Sequence, residues 1–421
     1  MAVLSVLDRS RTVAGPGYSR WLVPPAAVAI HLSIGQVYAF SVFNLPLSHA
    51  LGITRSAPGD WKLSTIGWTF SLAIVFLGLS AAVLGRWVER AGPRQAMLAA
   101  AFCFGGGFVV GALGISLHAF WLLLLGYGVL GGVGLGIGYI SPVSTLIKWF
   151  PDRPGMATGM AIMGFGGGAM IASPLSVALM AHYRTASSTG VAPTFVAMGL
   201  IYFVFMLFGV LTVRVPPAGW APAGYTPSAR PRPLVTTRDV DANTALRTPQ
   251  FWLLWAMLCL NVTAGIGVLG QASPMIQEMF SGRVGPAVAA GFVGLLSLAN
   301  MIGRFGWSSF SDALGRKATY VTFFALGAVL YALIPSTGRA GSVVLFVLGY
   351  VVIISMYGGG FATIPAYLKD LFGTYQVGAI HGRLLTAWAA AGVFGPVLVN
   401  YIREYEIDHG VPRAGAYTGC S

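Results

Sequence analysis

The chain has 421 residues, of which 56% are hydrophobic and 9% charged, whereas a soluble domain carries about 25% charged residues; mean hydropathy is +0.75. That composition excludes an ordinary soluble enzyme, and the apolar runs lack the alternation of a transmembrane β-barrel. The net charge of +13 does not mark a nucleic-acid partner, because the basic residues sit between apolar runs, as in polytopic membrane proteins.

In chain order, residues 1–20 are polar and basic and contain no cleavable signal. Apolar runs long enough to cross about 30 Å of hydrocarbon follow at 21–46, 63–86, 96–117, 119–147, 155–181, 193–213, 250–273, 287–310, 318–337, 341–366 and 377–402. The expected fold is an all-α polytopic membrane protein with eleven transmembrane helices. Residues 1–213 form an N-terminal six-helix bundle. Residues 214–246, rich in Pro and Arg, form a cytoplasmic interdomain loop. Residues 247–421 form a five-helix bundle, truncated because no apolar run follows Ile402. The 57 glycines suit closely packed membrane helices. Cys103, Cys259 and Cys420 match no metal site and read as free thiols. We expect no cofactor, no metal, no catalysis, lipid as the surroundings and a monomer.

Lys and Arg set the orientation. Seventeen lie at the N-terminus or after even-numbered spans and seven on the other side. The N-terminus is therefore expected in the cytoplasm and the protein in the inner (cytoplasmic) membrane. Within 287–310 a single charge remains, Arg304.

The chain also repeats itself. An offset of 223 residues places Gly126-Tyr127 on Gly349-Tyr350, Gly136 on Gly359, Pro142 on Pro365 and Gly155 on Gly378. The same offset superposes two charged loops, with Glu89 on Asp312, Gly92 on Gly315 and Arg94 on Lys317. Six spans fit one period, so the halves are parallel repeats, and carriers built this way hold substrate near the midplane between them. The loop charges Glu89, Arg90, Arg94, Asp312, Arg316 and Lys317 are expected to latch the halves together.

The loops GRWVERAGPR (85–94) and SDALGRK (311–317), with the repeat, resemble the major facilitator superfamily. Glu89, Pro93 and Ser308 depart from its loop pattern. GQVYAFSVF (35–43), WFPDRPGMATG (149–159), NMIGR (300–304) and YGGGFATIPAYLKDLFG (357–373) with LTAWAAAGVFGP (385–396) resemble the oxalate/formate antiporters and the neighbouring monocarboxylate transporters. The resemblance implies a carboxylate-binding arginine in the eighth helix, at Arg304. It also implies that Trp388 or one of its neighbours stands where oxalate exchangers carry a lysine.

An arginine at a helix centre costs about 2.5–3.5 kcal/mol to insert, so it faces a cavity or a partner. Its planar fork fits a carboxylate. The bland alternative is that Arg304 snorkels toward Asp312. Asn300, one turn earlier, either contacts substrate or holds the Arg304 rotamer. Gln36, Tyr38, Tyr127, Tyr357 and Trp388 are further candidate substrate contacts, with ordinary packing as the alternative. His31 is the candidate proton site, since no span interior contains Asp or Glu. The run GGVGLGIGY (131–139) lacks the strand and acid of a dinucleotide site and reads as helix packing. With one buried cation, the expected function is secondary transport of a small monocarboxylate such as formate, lactate or pyruvate, by anion exchange or proton symport. Oxalate/formate exchange is the alternative, as is a non-transporting sensor or inactive remnant. A multidrug exporter would need acids within its spans.

Overall fold

The structure is a computed structural model that describes residues 7–225, 236, 239–412 and 415. Its long helices are α1 (Arg20–Phe43), α2 (Leu63–Ala91), α3 (Pro93–Ser116), α4 (Phe120–Trp149), α5 (Pro154–Tyr183) and α6 (Val191–Thr212). After the connection come α7 (Pro249–Met279), α8 (Pro286–Leu314), α9 (Arg316–Arg339), α10 (Val343–Phe372) and α11 (Val377–Asp408). Among the described residues ten helices are long and apolar enough to cross a membrane; α8 is the helix that carries Arg304.

Local chemistry starts and stops these helices. Proline opens α3, α5, α7 and α8, where its missing N–H costs nothing. Gly92 and Gly315 end α2 and α8 with φ of 86° and 90°, a backbone that a side chain would strain. These two glycines are partners in the 223-residue offset, and Pro142 and Pro365 likewise lie inside α4 and α10. The repeat read from residue identities is thus present in backbone conformation. Several helices outrun their apolar spans by a turn or more, α2 to Ala91, α7 to Met279, α10 to Phe372 and α11 to Asp408, because polar residues remain helical beyond the hydrocarbon.

Within α1–α6, α3 packs on α6 and α2 on α4; within α7–α11, α8 packs on α10 and α7 on α11. The two sets meet along α5 against α8 and α2 against α11. Small residues permit both crossings. A Cβ added at Gly85 would lie 3.0 Å from Ala379 Cα, and one at Gly159 would lie 2.9 Å from the Arg304 carbonyl. Large apolar side chains are exposed along the helices, Val83 at 76% and Leu253 at 70% among them, as lipid-facing positions require.

The end of the bundle that bears the loops after α2, α4 and α8 is tied shut. Asp312 of α8 accepts from Gly155 N (3.0 Å) and Met156 N (3.1 Å), at the start of α5. Thr158 Oγ1 donates to the Ala362 carbonyl at 2.5 Å, and Lys369 Nζ to the Pro151 carbonyl at 3.3 Å. In the connection, Val240 N donates to the Phe372 carbonyl at 2.9 Å, and Asp239 Oδ1 accepts from Thr374 N and Tyr375 N. The predicted interdomain loop is otherwise seen only in part. Arg230, Arg232, Arg238, Arg413 and Cys420 lie outside the described residues.

Candidate functional site

Two irregular stretches shape the centre. α1 tightens into 3-10 turns over Gly35–Phe43, and α4 widens into π turns over Leu124–Gly131; both departures mark functional positions more often than chance. Gly35 sits against the Phe165 backbone of α5, where a Cβ would be 2.9 Å from Phe165 Cα. This close crossing lets Tyr38 of α1 reach toward α10.

Arg304 is 0% exposed. It does not snorkel to Asp312, which pairs instead with Arg316 at 2.6 Å. Arg304 Nε donates to Asn300 Oδ1 at 2.8 Å, and Nη1 donates to Tyr139 Oη of α4 at 3.4 Å. The guanidinium carbon lies 5.3 Å from the Phe165 ring centre and 5.1 Å from that of Phe361. The ring faces thus hold the charge by cation–π attraction, which strengthens out of water. Nη2 makes no hydrogen bond of ordinary geometry, with the Tyr38 hydroxyl the nearby group that acts on the guanidinium. Among the described residues no carboxylate pairs with Arg304. A buried cation without a counter-ion is costly, and the vacant donor defines what would relieve it: an anion with an oxygen acceptor.

Around Arg304 the rings form one cage. Tyr38 Oη and Tyr357 Oη share a hydrogen bond of 2.9 Å between α1 and α10. Trp388 of α11 lies 4.3 Å from Phe361, 5.4 Å from Phe165 and Tyr139, and 6.4 Å from Tyr38, centre to centre. Its Nε1 is buried and unpartnered. The cage therefore draws on α1, α4, α5, α8, α10 and α11, three helices from each side of the connection.

Of the residues singled out in the sequence, the structure brings together Arg304, Asn300, Tyr38, Tyr357 and Trp388. Asn300 orients the arginine, its Oδ1 being committed to Nε. Tyr127 is elsewhere. Its hydroxyl donates to Gln36 Oε1 at 3.0 Å, and its ring packs with Phe40, Phe108 and Phe195 inside α1–α6. Gln36 leaves Nε2 buried and unpaired. His31 is 0% exposed; its Nδ1 meets the Ala161 carbonyl and its Nε2 the Tyr139 carbonyl at 3.1 Å. A neutral imidazole has one N–H, so two facing carbonyls are both satisfied only by the doubly protonated ring.

Sequence reading missed Tyr139, Phe165, Phe361 and His381. The first three sit in the glycine-rich runs GGVGLGIGY, GFGGG and YGGGF, where the glycines drew attention and the aromatic did not. His381 corrects the expectation that His31 is the interior titratable group: it is 1% exposed in α11, and the stretch IHGRL showed it.

The loop charges divide. Glu89 pairs with Lys148 at 2.7 Å and lies against Gly378 at the start of α11, the repeat counterpart of Asp312 at Gly155. Arg316 bridges Asp312 and Asp370, the latter at 3.1 Å. Arg94 instead turns inward and donates to the Leu211 carbonyl of α6 at 3.3 Å, while Arg90 and Lys317 are exposed. A crevice of about 230 Å³ between α7, α9 and α10 is lined in part by Tyr357 of the cage but not by Arg304.

The family model for the Major Facilitator Superfamily matches residues 26–396. Among characterised sequences, the chain is 27% identical over 387 residues to the oxalate:formate antiporter of Oxalobacter formigenes, covering 90% of this chain and 83% of that protein. It is 24% identical over 410 residues to human monocarboxylate transporter 11, covering 93% and 79%. Among solved structures, the human organic anion transporter MFSD10 superposes with a TM-score of 0.64 at 15% identity, covering 97% and 98%, a likeness of fold.

Proposed function

The chain belongs to the Major Facilitator Superfamily and is a multi-pass membrane transporter, and we propose that it carries small monocarboxylates by alternating access. The observation that supports this reading is Arg304, wholly buried where helices from both sides of the connection meet, with Nη2 unpartnered and, among the described residues, no carboxylate paired with it. A carboxylate there accepts from the free fork and neutralises the charge. The aromatic walls exclude water, which strengthens that attraction. Tyr38 and Tyr357, already bonded across the interface, add hydroxyl donors. Similarity to an oxalate:formate antiporter and a monocarboxylate transporter agrees with a carboxylate substrate.

In this reading 1–213 and 247–421 are the two rocking bodies and 214–246 joins them. The N-terminus and the tied end face the cytoplasm of the cell membrane. Asp312 at the start of α5 and Glu89 at the start of α11 hold that end closed. Anion exchange follows if bare Arg304 resists the change of state and neutralised Arg304 permits it; proton symport follows if His31 takes up the proton. Thermal stabilisation of the purified protein by formate, lactate, pyruvate and oxalate, against an uncharged control, tests the reading, because a ligand that binds the folded state raises the melting temperature. A shift with a monocarboxylate that vanishes in Arg304→Ala is the expected result. Equal shifts in both proteins, or no shift in a folded protein, would overturn it.

A further inference from the structure

The crevice between α7, α9 and α10 carries two buried polar atoms that nothing engages. Asn261 of α7 and Tyr331 of α9 both line it, and neither Asn261 Oδ1 nor Tyr331 Oη has a hydrogen-bond partner. A buried polar atom left unpaired has lost its water and gained nothing in return, so two around one space call for a ligand. Asn261 Oδ1 is set deep, because a Cβ at Gly360 of α10 would lie 2.5 Å from it. The rest of the lining narrows the chemistry. Phe323, Ile353 and Met356 are apolar, and no charged side chain lines the space, so an ion would enter without a counter-charge. Tyr357 stands on the buried side, its hydroxyl already bonded to Tyr38. Leu260 and Phe324, on the rim, are 67% and 41% exposed, so the crevice opens toward lipid. Its volume of about 230 Å³ exceeds the roughly 150 Å³ in which an apolar cavity takes up benzene.

We propose that this crevice is a binding site for an uncharged molecule with one ring or a short chain and one hydroxyl, reached from the bilayer. Asn261 Oδ1 only accepts, whereas the Tyr331 hydroxyl both donates and accepts. One hydroxyl on the ligand therefore serves both, donating to the first and accepting from the second. The apolar body fills the space beside Phe323, Ile353 and Met356. An acyl chain of the bilayer would fill that space and leave both polar atoms unpaired. The ligand also touches Tyr357, and through it the hydroxyl pair that joins α1 to α10. The site is independent of the reading of Arg304.

Thermal-shift titration of the purified full chain with para-ethylphenol and with ethylbenzene tests it, since only the first carries the hydroxyl and a ligand that binds the folded state raises the melting temperature. In wild type, para-ethylphenol should half-saturate at a concentration about two- to tenfold lower than ethylbenzene for each hydrogen bond made. Tyr331→Phe and Asn261→Leu should each remove one such step for para-ethylphenol and leave ethylbenzene unchanged. The two lie on different helices, so either variant that folds suffices. Ala328→Phe, which puts a ring into the crevice from α9, should abolish the shift with both probes. Equal affinity for the two probes in wild type would assign the crevice to lipid chains and overturn the proposal. A preference for para-ethylphenol that persists in Tyr331→Phe and Asn261→Leu, or shifts that persist in Ala328→Phe, would place the probes elsewhere and overturn it. So would the absence of a shift with either probe in a folded wild-type protein.

Discussion

Arg304 is held by groups that leave its outer edge free. Asn300 takes Nε, Tyr139 takes Nη1, and Phe165 and Phe361 cover the faces. Two substitutions separate charge from geometry. Arg304→Lys keeps a cation but loses the planar fork and the contact to Asn300. A hydrogen bond to a charged group contributes about 1.5–3 kcal/mol, so monocarboxylate affinity should fall by roughly 10- to 100-fold, read by titrating the thermal shift. Asn300→Asp places a carboxylate on Nε and supplies the counter-ion the site lacks. Substrate then competes with a built-in anion, and weaker binding is expected; unaltered affinity would show that the vacancy at Nη2 is not what attracts the substrate. The arginine itself was legible, because a lone charge in an apolar run stands out. Its cage was not, because an aromatic residue in a membrane helix looks the same whether it packs or binds.

At the scale of elements, the crossings of α2 with α11 and α5 with α8 depend on missing side chains. A Cβ at Gly382 would enter the backbone of Ala81. Gly382→Val should therefore destabilise the closed packing by about 1–3 kcal/mol, seen as a lower melting temperature than wild type without ligand. The loop between α4 and α5 supplies a pH prediction. Asp152 pairs with Arg20 at 2.7 Å and 3.1 Å. Partial burial raises its carboxyl, but the bonds and charge of Arg20 outweigh that and hold it below the ordinary carboxylate range. A depressed folded-state value stabilises above the unfolded pKa of about 3.9 and is lost as pH falls through the folded value. The pair is about one-fifth exposed, so the contribution is at most about 1 kcal/mol. Melting temperatures measured from about pH 6 down to about pH 3 should decline less steeply in Asp152→Asn.

Across the whole molecule, the repeat appears as a reciprocal arrangement. Asp312 at the end of α8 accepts from the first amides of α5, and Glu89 at the end of α2 stands at the first turn of α11. A carboxylate at a helix N-terminus contributes about 0.3–1 kcal/mol. Asp312→Asn should accordingly open the tied end about two- to fivefold more often. The measurement is the maleimide labelling rate of Thr158→Cys, a position now fully buried, in a background with Cys103, Cys259 and Cys420 changed to Ser. An unchanged rate would mean that Asp312 is not part of the latch.

The sequence by itself determined the membrane class, the approximate positions of the helices, the internal repeat and the lone charge within an apolar run. Each rests on a property local to the chain: apolar length, proline and glycine at helix ends, or one charge without neighbours. Only the tertiary structure decided which residues share the site. Tyr38 meets Tyr357 across 319 positions of chain, Tyr127 turns away into α1–α6, and His381 stands without a partner. Those outcomes depend on how close two helices approach and how each is rotated, and that is set by contacts between residues far apart in the chain.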